Sequence, residues 1–297
     1  EANNMVLKGA GVERILVSAI EHPSVLEAAG TREIIPILPS GLIDIGALDR
    51  LLEGNIKTTL ISVMLVNNET GVIQPVEAVM EVARRRGALV HADAVQAAGR
   101  IPVDAQKLGV DFLTLSSHKI GGPQGAGALV ISNCASVSPL MTGGGQEKNL
   151  RAGTENVAAI AGFGKAAVSA LQDMSAYQSL AALRDRAESA LASIAPSLLF
   201  FGREAPRVAN TSMFSLPGVP SETQLIALDI AGVCVSNGSA CASGTVKTSH
   251  VLKAMGVDEQ VAACALRISL GWNSNADDVE CFIGAWAEMF NRVKART

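Results

Sequence analysis

The sequence predicts an α/β protein in which a large domain built on a mainly parallel sheet is followed by a smaller one. Three observations lead there. Short runs rich in Val, Ile and Leu alternate with amphipathic stretches, the pattern left by βαβ units. The chain has 297 residues, more than one hydrophobic core usually serves. Hydrophobic residues make up 48% but aromatics only 3%, so aliphatic side chains must build the core in layered helices and strands.

In chain order, the apolar runs over 15–19, 60–65, 89–92, 112–116 and 127–131 are the expected strands of the sheet. Between them, 75–86 has Pro75 at the first turn and Val76, Val79, Met80 and Ala83 at helical spacing. Its Arg84-Arg85-Arg86 end followed by Gly87 suits a helix C-terminus and needs no ligand. An Ala-rich helix follows over 153–170, then a more charged one over 176–195 that stops before Pro196. The domain boundary is expected here, giving domains of 1–172 and 173–297. Beyond it, 208–216 and 266–270 are expected strands, and 221–230 is a helix capped by Ser221 with Glu222 in its first turn. An amphipathic helix over 276–293 closes the chain.

A formal net charge of −4, with no basic run longer than Arg84-Arg85-Arg86, offers no footprint for nucleic acid or an anionic membrane. No apolar run approaches the roughly 20 residues of a membrane span. The five cysteines, Cys134, Cys234, Cys241, Cys264 and Cys281, are widely spaced and contain no CxxC pair, which argues against a disulfide framework or a zinc site and for a reducing cytoplasm. The sequence opens Glu1-Ala2-Asn3-Asn4 with helix-compatible residues and no initiator Met, so a further N-terminal segment is expected.

Chemistry concentrates where the strands end. The strand over 112–116 runs into Ser116, Ser117, His118 and Lys119, then into the glycine-rich turn 120–125. A lysine at a strand's carboxyl end sits where open α/β sheets bind ligands. The hydroxyls and imidazole before it suit a phosphate, and the glycines let a flat ring approach the backbone. A phosphate-anchored aldehyde cofactor held by a lysine would use all these parts, although a solvated lysine in a glycine turn is the plainer alternative for the segment alone. The strand over 89–92 leads to Asp93 and Gln96. An aspartate there is often a helix cap; paired with Lys119, it can instead meet a protonated pyridine nitrogen and keep the ring an electron sink. Asn67, Asn68 and Glu69 end a third strand, and Glu21 and His22 end a fourth, where an imidazole can stack on a ring and move protons near neutrality.

With these residues in this order, the chain resembles the pyridoxal-phosphate-dependent cysteine desulfurases of the class V aminotransferase superfamily, essentially from Glu1 to the last helix. The motifs are Glu-His-Pro-Ser around His22, Asn67-Asn68-Glu69-Thr70-Gly71, His91-Ala92-Asp93-Ala94-Val95-Gln96 and Ser116-Ser117-His118-Lys119. Later come Gly143-Gly144-Gly145-Gln146-Glu147, Arg151-Ala152-Gly153-Thr154, Gly238-Ser239-Ala240-Cys241-Ala242-Ser243 and Leu266-Arg267-Ile268-Ser269. The resemblance implies a fold type I large domain with a mixed, mainly parallel seven-stranded-type sheet and a smaller α+β C-terminal domain. It implies that Lys119 bonds the cofactor's aldehyde, that Asp93 pairs with the pyridine nitrogen, and that His22 stacks on the ring. Gln96 and Asn68 would contact the phenolic oxygen side, Ser116 and His118 the phosphate, and Thr154 the phosphate of the partner's cofactor across a homodimer. Arg267, with Asn68, would receive the substrate carboxylate, a task suited to a planar guanidinium.

The implied reaction takes L-cysteine to L-alanine, with the sulfur held as a persulfide on Cys241 and passed to an acceptor protein such as an iron–sulfur scaffold. Cys241 lies in a small-residue stretch, 236–244, that reads as a mobile loop, and its extension to His250 resembles the subgroup with a long cysteine loop. The other four cysteines are expected to be buried and inert. Ser117 stands where the family commonly has glycine, and Asn237 is a second departure. The family's threonine turn, which contacts the phosphate, precedes the position of Glu1. Two alternatives stay open on the sequence: a selenocysteine lyase or other class V aminotransferase sharing Lys119 and Asp93, and an inactive truncated dimerising or binding module.

Overall fold

The computed structural model describes residues 1–238 and 248–295. The chain divides into two compact units. Glu1–Leu38, Leu42–Asn67 and Gln74–Met174 make the first; Pro39–Gly41, Asn68–Ile73 and Ser175–Thr297 make the second.

The first unit is a six-stranded sheet with helices α1 (Ala2–Gly9), α2 (Pro23–Leu26), α3 (Ile45–Leu51), α4 (Val76–Arg86), α5 (Ala105–Leu108) and α6 (Val157–Gln172). Its strands are β1 (Arg14–Ser18), β2 (Glu33–Ile35), β3 (Thr59–Met64), β4 (Leu89–Asp93), β5 (Phe112–Ser116) and β6 (Gly127–Ile131), in the order β2-β1-β3-β4-β5-β6. All neighbours are parallel except β6, which runs antiparallel to β5. The described residues therefore supply six strands rather than the seven of the expected type, with β2 and β6 as edges. The short strand β2 was not expected, because three residues at an edge show no period. In contrast, β3 is buried at every position, as a central parallel strand covered on both faces must be.

Local rules account for the rest. In α4 the buried residues are Val76, Val79, Met80, Val82 and Ala83, and Gly87 closes the helix at φ 66°, where a side chain would be strained. Pro75 stands at the cap, one residue before the helix it was expected to open. Helix α1 packs over β5 and β6.

The second unit holds an antiparallel sheet, β7 (Leu199–Phe201), β8 (Thr211–Ser215) and β9 (Ala265–Ser269), in that order. Its helices are α7 (Met174–Ile194, whose first residue counts with the other unit), α8 (Ser221–Ile230), α9 (His250–Ala254), α10 (Glu259–Ala262) and α11 (Ala276–Lys294). Its core closes around Trp286, which meets Phe214 edge-on at 6.3 Å and stacks on Phe290 at 5.5 Å. Asn275 and Asp278 form a reciprocal capping box at the start of α11. Ser221 does not cap α8 as expected. Extended Pro220 is the cap residue and Ser221 is already helical, so the Ser221 side chain is buried one position too late to reach the first free N–H groups. No helix among the described residues is long and apolar enough to cross a membrane.

Candidate active site

Parallel pairing aligns strand ends. The register couples Met64 with Asp93 and Asp93 with Thr114, so the residues after β1, β3, β4 and β5 gather at the carboxyl edge of the first unit's sheet. Asp93 ends β4 and is 5% exposed. Its Oδ1 accepts the Val95 backbone N–H at 3.0 Å, and its Oδ2 accepts from Asn3 Nδ2 at 2.8 Å. Burial pushes the Asp93 carboxyl above its ordinary range; those two hydrogen bonds and the charge of His22 oppose the shift.

Strand alternation explains a polar cluster beside it. Residues 91 and 93 of β4 share a face, as do 112, 114 and 116 of β5. His91 Nδ1 lies 2.8 Å from Ser62 Oγ, its register partner on β3, and His91 Nε2 lies 3.2 Å from Thr114 Oγ1. Thr114 Oγ1 donates to Asn3 Oδ1 at 2.7 Å. Asn3 Nδ2 also donates to Ser24 Oγ at 2.9 Å. His22 caps α2: its Nδ1 accepts the Ser24 backbone N–H at 3.1 Å and lies 2.8 Å from Ser24 Oγ. Asn3, Ser24, His91 and Thr114 were given no role from the sequence. The available signal was the position of Asn3 three and four residues before the apolar Val6 and Leu7, which sets a polar side chain on the buried face of a helix.

Beyond β5, a 3₁₀ turn carries Ser117, His118 and Lys119. His118 and Lys119 are exposed and Ser116 is half-buried, with its Oγ 3.0 Å from His118 Nδ1. Desolvation first, and then the Lys119 charge, lowers the His118 pKa, so the ring is neutral at neutral pH. Gly122 makes the tight return possible: a Cβ there would stand 2.3 Å from Ser117 Oγ. That hydroxyl is buried and has no hydrogen-bond partner among the described residues.

The remaining expected residues are placed differently. Gln96 is tied to Arg100, which donates to its backbone oxygen at 2.8 Å and to its side-chain Oε1. Thr154 is exposed, in the segment before α6. In the second unit, Arg267 Nη1 donates to the Asn68 backbone oxygen at 2.9 Å, and the buried Glu69 accepts from Ser249 Oγ. Cys241 lies outside the described residues. Of the four cysteines expected to be buried, only Cys264 is; Cys134, Cys234 and Cys281 are exposed. Cys281 sits on the solvent face of amphipathic α11, and Cys134 and Cys234 lie beyond the ends of regular elements, where no core packs on them. Among the described residues no cluster suits a metal ion.

The residues of the first unit fit pyridoxal phosphate. Both oxygens of the buried Asp93 accept from neutral N–H groups, so a protonated pyridine nitrogen would give the carboxylate a hydrogen-bonded cationic partner. Lys119 offers an exposed amine, and Ser116 with neutral His118 offers hydroxyl and ring donors to a phosphate.

The family model described as aminotransferase class-V matches residues 1–282. A cysteine desulfurase of Sinorhizobium fredii is 40% identical over 93% of this chain and 75% of its own length. Cysteine desulfurase IscS of Dictyoglomus turgidum is 38% identical over 94% of this chain and 74% of its own. The solved structure of a NifS-like protein from Rickettsia africae superposes with a TM-score of 0.89 at 36% identity, over 98% of this chain and 79% of that one.

Proposed function

This chain belongs to the class-V aminotransferase family and, within it, to the cysteine desulfurases, and on that premise we propose how its residues divide the reaction. It is a pyridoxal-phosphate-dependent enzyme that takes sulfur from L-cysteine and leaves L-alanine. The observation that carries the assignment of roles is the placement of a buried carboxylate, Asp93, and of Lys119 just beyond the ends of adjacent parallel strands.

When bound, the cofactor supplies an electron sink that stabilises the charge left when the substrate's Cα loses a proton. Lys119 would hold the cofactor's aldehyde carbon, and its amine is the base placed to move that proton. Asp93 would keep a proton on the pyridine nitrogen, Ser116 and His118 would bind the phosphate, and Gln96 and Asn68 would contact the phenolic oxygen side. His22 would stack on the ring and exchange protons at Nε2. Arg267 orients the substrate carboxylate through its guanidinium. The thiolate of Cys241 then attacks the substrate sulfur. A sulfur–sulfur bond forms, the Cβ–S bond breaks with its electron pair left on carbon, and protonation there gives the alanine methyl group. Carbon is reduced as sulfur is oxidised, so no outside oxidant is needed.

A homodimer is part of the proposal, with Thr154 serving the partner's phosphate. Its support is helix α6, on which Val157, Ile160, Val168 and Leu171 are all exposed. The sulfur acceptor is a protein such as an iron–sulfur scaffold, in keeping with the long segment between Cys241 and His250. A cytoplasmic setting suits the four free thiols among the described residues.

The test is an absorbance spectrum of the purified full-length protein before and after L-cysteine, with alanine and sulfide assayed together. With a thiol reductant present to release the persulfide sulfur as sulfide, a visible band abolished by borohydride, with alanine and sulfide in equal amounts and no keto acid added, is expected. Cys241→Ala should keep the band and lose sulfide transfer; full transfer by that variant would remove Cys241 from the mechanism.

A further inference from the structure

The buried polar cluster under Asp93 has one internally consistent set of proton positions. Thr114 spends its only hydroxyl hydrogen on Asn3 Oδ1, so toward His91 it must accept. His91 therefore carries its proton on Nε2, and its Nδ1 accepts from Ser62. The fully buried ring is neutral, as that arrangement requires. With Oδ1 occupied, the Asn3 amide points both N–H groups the other way, one to Asp93 Oδ2 and one to Ser24 Oγ. Ser24 accepts there and keeps its own hydrogen for His22 Nδ1, which its backbone N–H also reaches. Reversing the amide would set a carbonyl oxygen against the Asp93 carboxylate.

We propose that Asn3 is a positioning residue: one of its N–H groups keeps Asp93 ionised and oriented, and the other, through Ser24, sets His22 with Nδ1 as acceptor and the ring proton on Nε2. A single side chain on α1 thus governs the two groups that face the cofactor ring, and Thr114, His91 and Ser62 form the chain that holds its amide in one orientation. The role of Asn3 rests on those proposed above for Asp93 and His22. Among the described residues, the titratable side chains that act electrostatically on Asp93 are His22 when protonated and Glu21 when ionised.

The experiment measures the dissociation constant of pyridoxal phosphate as a function of pH for the full-length protein freed of cofactor, beside the melting temperature of each variant. Asn3→Ala should weaken binding roughly ten- to a hundredfold, the worth of a charge-assisted hydrogen bond. It should also move the acid limb of binding to higher pH, because Asp93 without that donor protonates sooner. Thr114→Val, which leaves both N–H groups in place but frees Oδ1, should move the limb the same way by less. A merely structural Asn3 would lower the melting temperature and leave the limb unmoved, and that result overturns the proposal. If Asn3→Ala does not fold, Ser24→Ala and Thr114→Val decide: unchanged acid limbs in both overturn it. Asp93→Asn separates the two levels. Lost binding in Asp93→Asn with wild-type behaviour in Asn3→Ala sinks only the role of Asn3; undiminished binding in Asp93→Asn sinks the role of Asp93 and, with it, that of Asn3.

Discussion

Met64 donates its backbone N–H to Oε1 of Glu21 at 2.6 Å, and the carboxyl that receives it is wholly enclosed. Ser18 Oγ donates to the same oxygen at 2.5 Å, so this one acid joins the ends of β1 and β3. Burial pushes Glu21 up to about 8, helped by the charge of Asp93 and opposed by the two hydrogen bonds.

That shift has a sign in stability. Between 4.5, the ordinary value, and about 8, the folded state binds a proton that the unfolded chain has lost. Glu21 therefore stabilises the fold at low pH and loses that contribution as pH rises through the window. Glu21→Gln keeps an oxygen to accept from Ser18 and Met64 but cannot ionise. Melting curves across the window should show wild type losing stability relative to the variant as pH rises; parallel curves would refute the buried acid.

His91 works in the opposite direction. Burial pushes it down to about 3 from 6.5, so its contribution is complete above 6.5 and fades as pH falls toward 3. One such proton changes stability by at most about 1.4 kcal/mol per pH unit. Between 4.5 and 6.5 the two groups offset each other in the wild type. In Glu21→Gln, urea titrations should therefore show stability climbing with pH over that range, and a flat profile would mean that His91 titrates as in water.

Glu188 and Arg207 form a buried pair, 2% and 5% exposed, with N···O contacts of 2.7 and 3.2 Å. Glu188→Ala strands a buried guanidinium and should cost about 3–5 kcal/mol in urea unfolding. Replacing both residues by Leu should cost much less. Equal losses in the two cases would show that the pair contributes more than mutual neutralisation.

Arg267 is anchored by the Asn68 carbonyl, which holds one end of its guanidinium. Arg267→Lys keeps the charge but loses the planar fork, and should raise the KM for L-cysteine about tenfold or more. A fall in kcat with KM unchanged would take Arg267 away from the substrate carboxylate.

Trp286 is fully buried and Trp272 is 87% exposed, so the two emit from opposite environments. Trp286→Phe should leave only solvent-like fluorescence. Trp286→Ala should destabilise the second unit by about 3–5 kcal/mol, since the cavity left between Phe214 and Phe290 cannot fully collapse. A loss below about 1 kcal/mol would mean that α11 repacks.

Much of this molecule was legible before any coordinate. The strand over 112–116, the end of α4 at Gly87 and the alignment of Asp93 with Lys119 at one edge follow from periods of 2 and 3.6, a cap glycine and the direction of parallel strands. These are short-range rules, and a sequence states them directly. Contacts between distant segments are different. Asn3 meets Asp93 across 90 positions because α1 lies over β5 and β6, and no local pattern announces where a helix will rest. The tie of Gln96 to Arg100, the exposure of three cysteines and the helical start at Ser221 were likewise decided by what each side chain found within reach once the layers had packed. The sequence by itself determined most of the longer strands and helices, the family and which polar residues stand at the strand ends. Only the tertiary structure decided which neutral donors surround Asp93, because hydrogen-bond partners are chosen by packing in space and not by spacing along the chain.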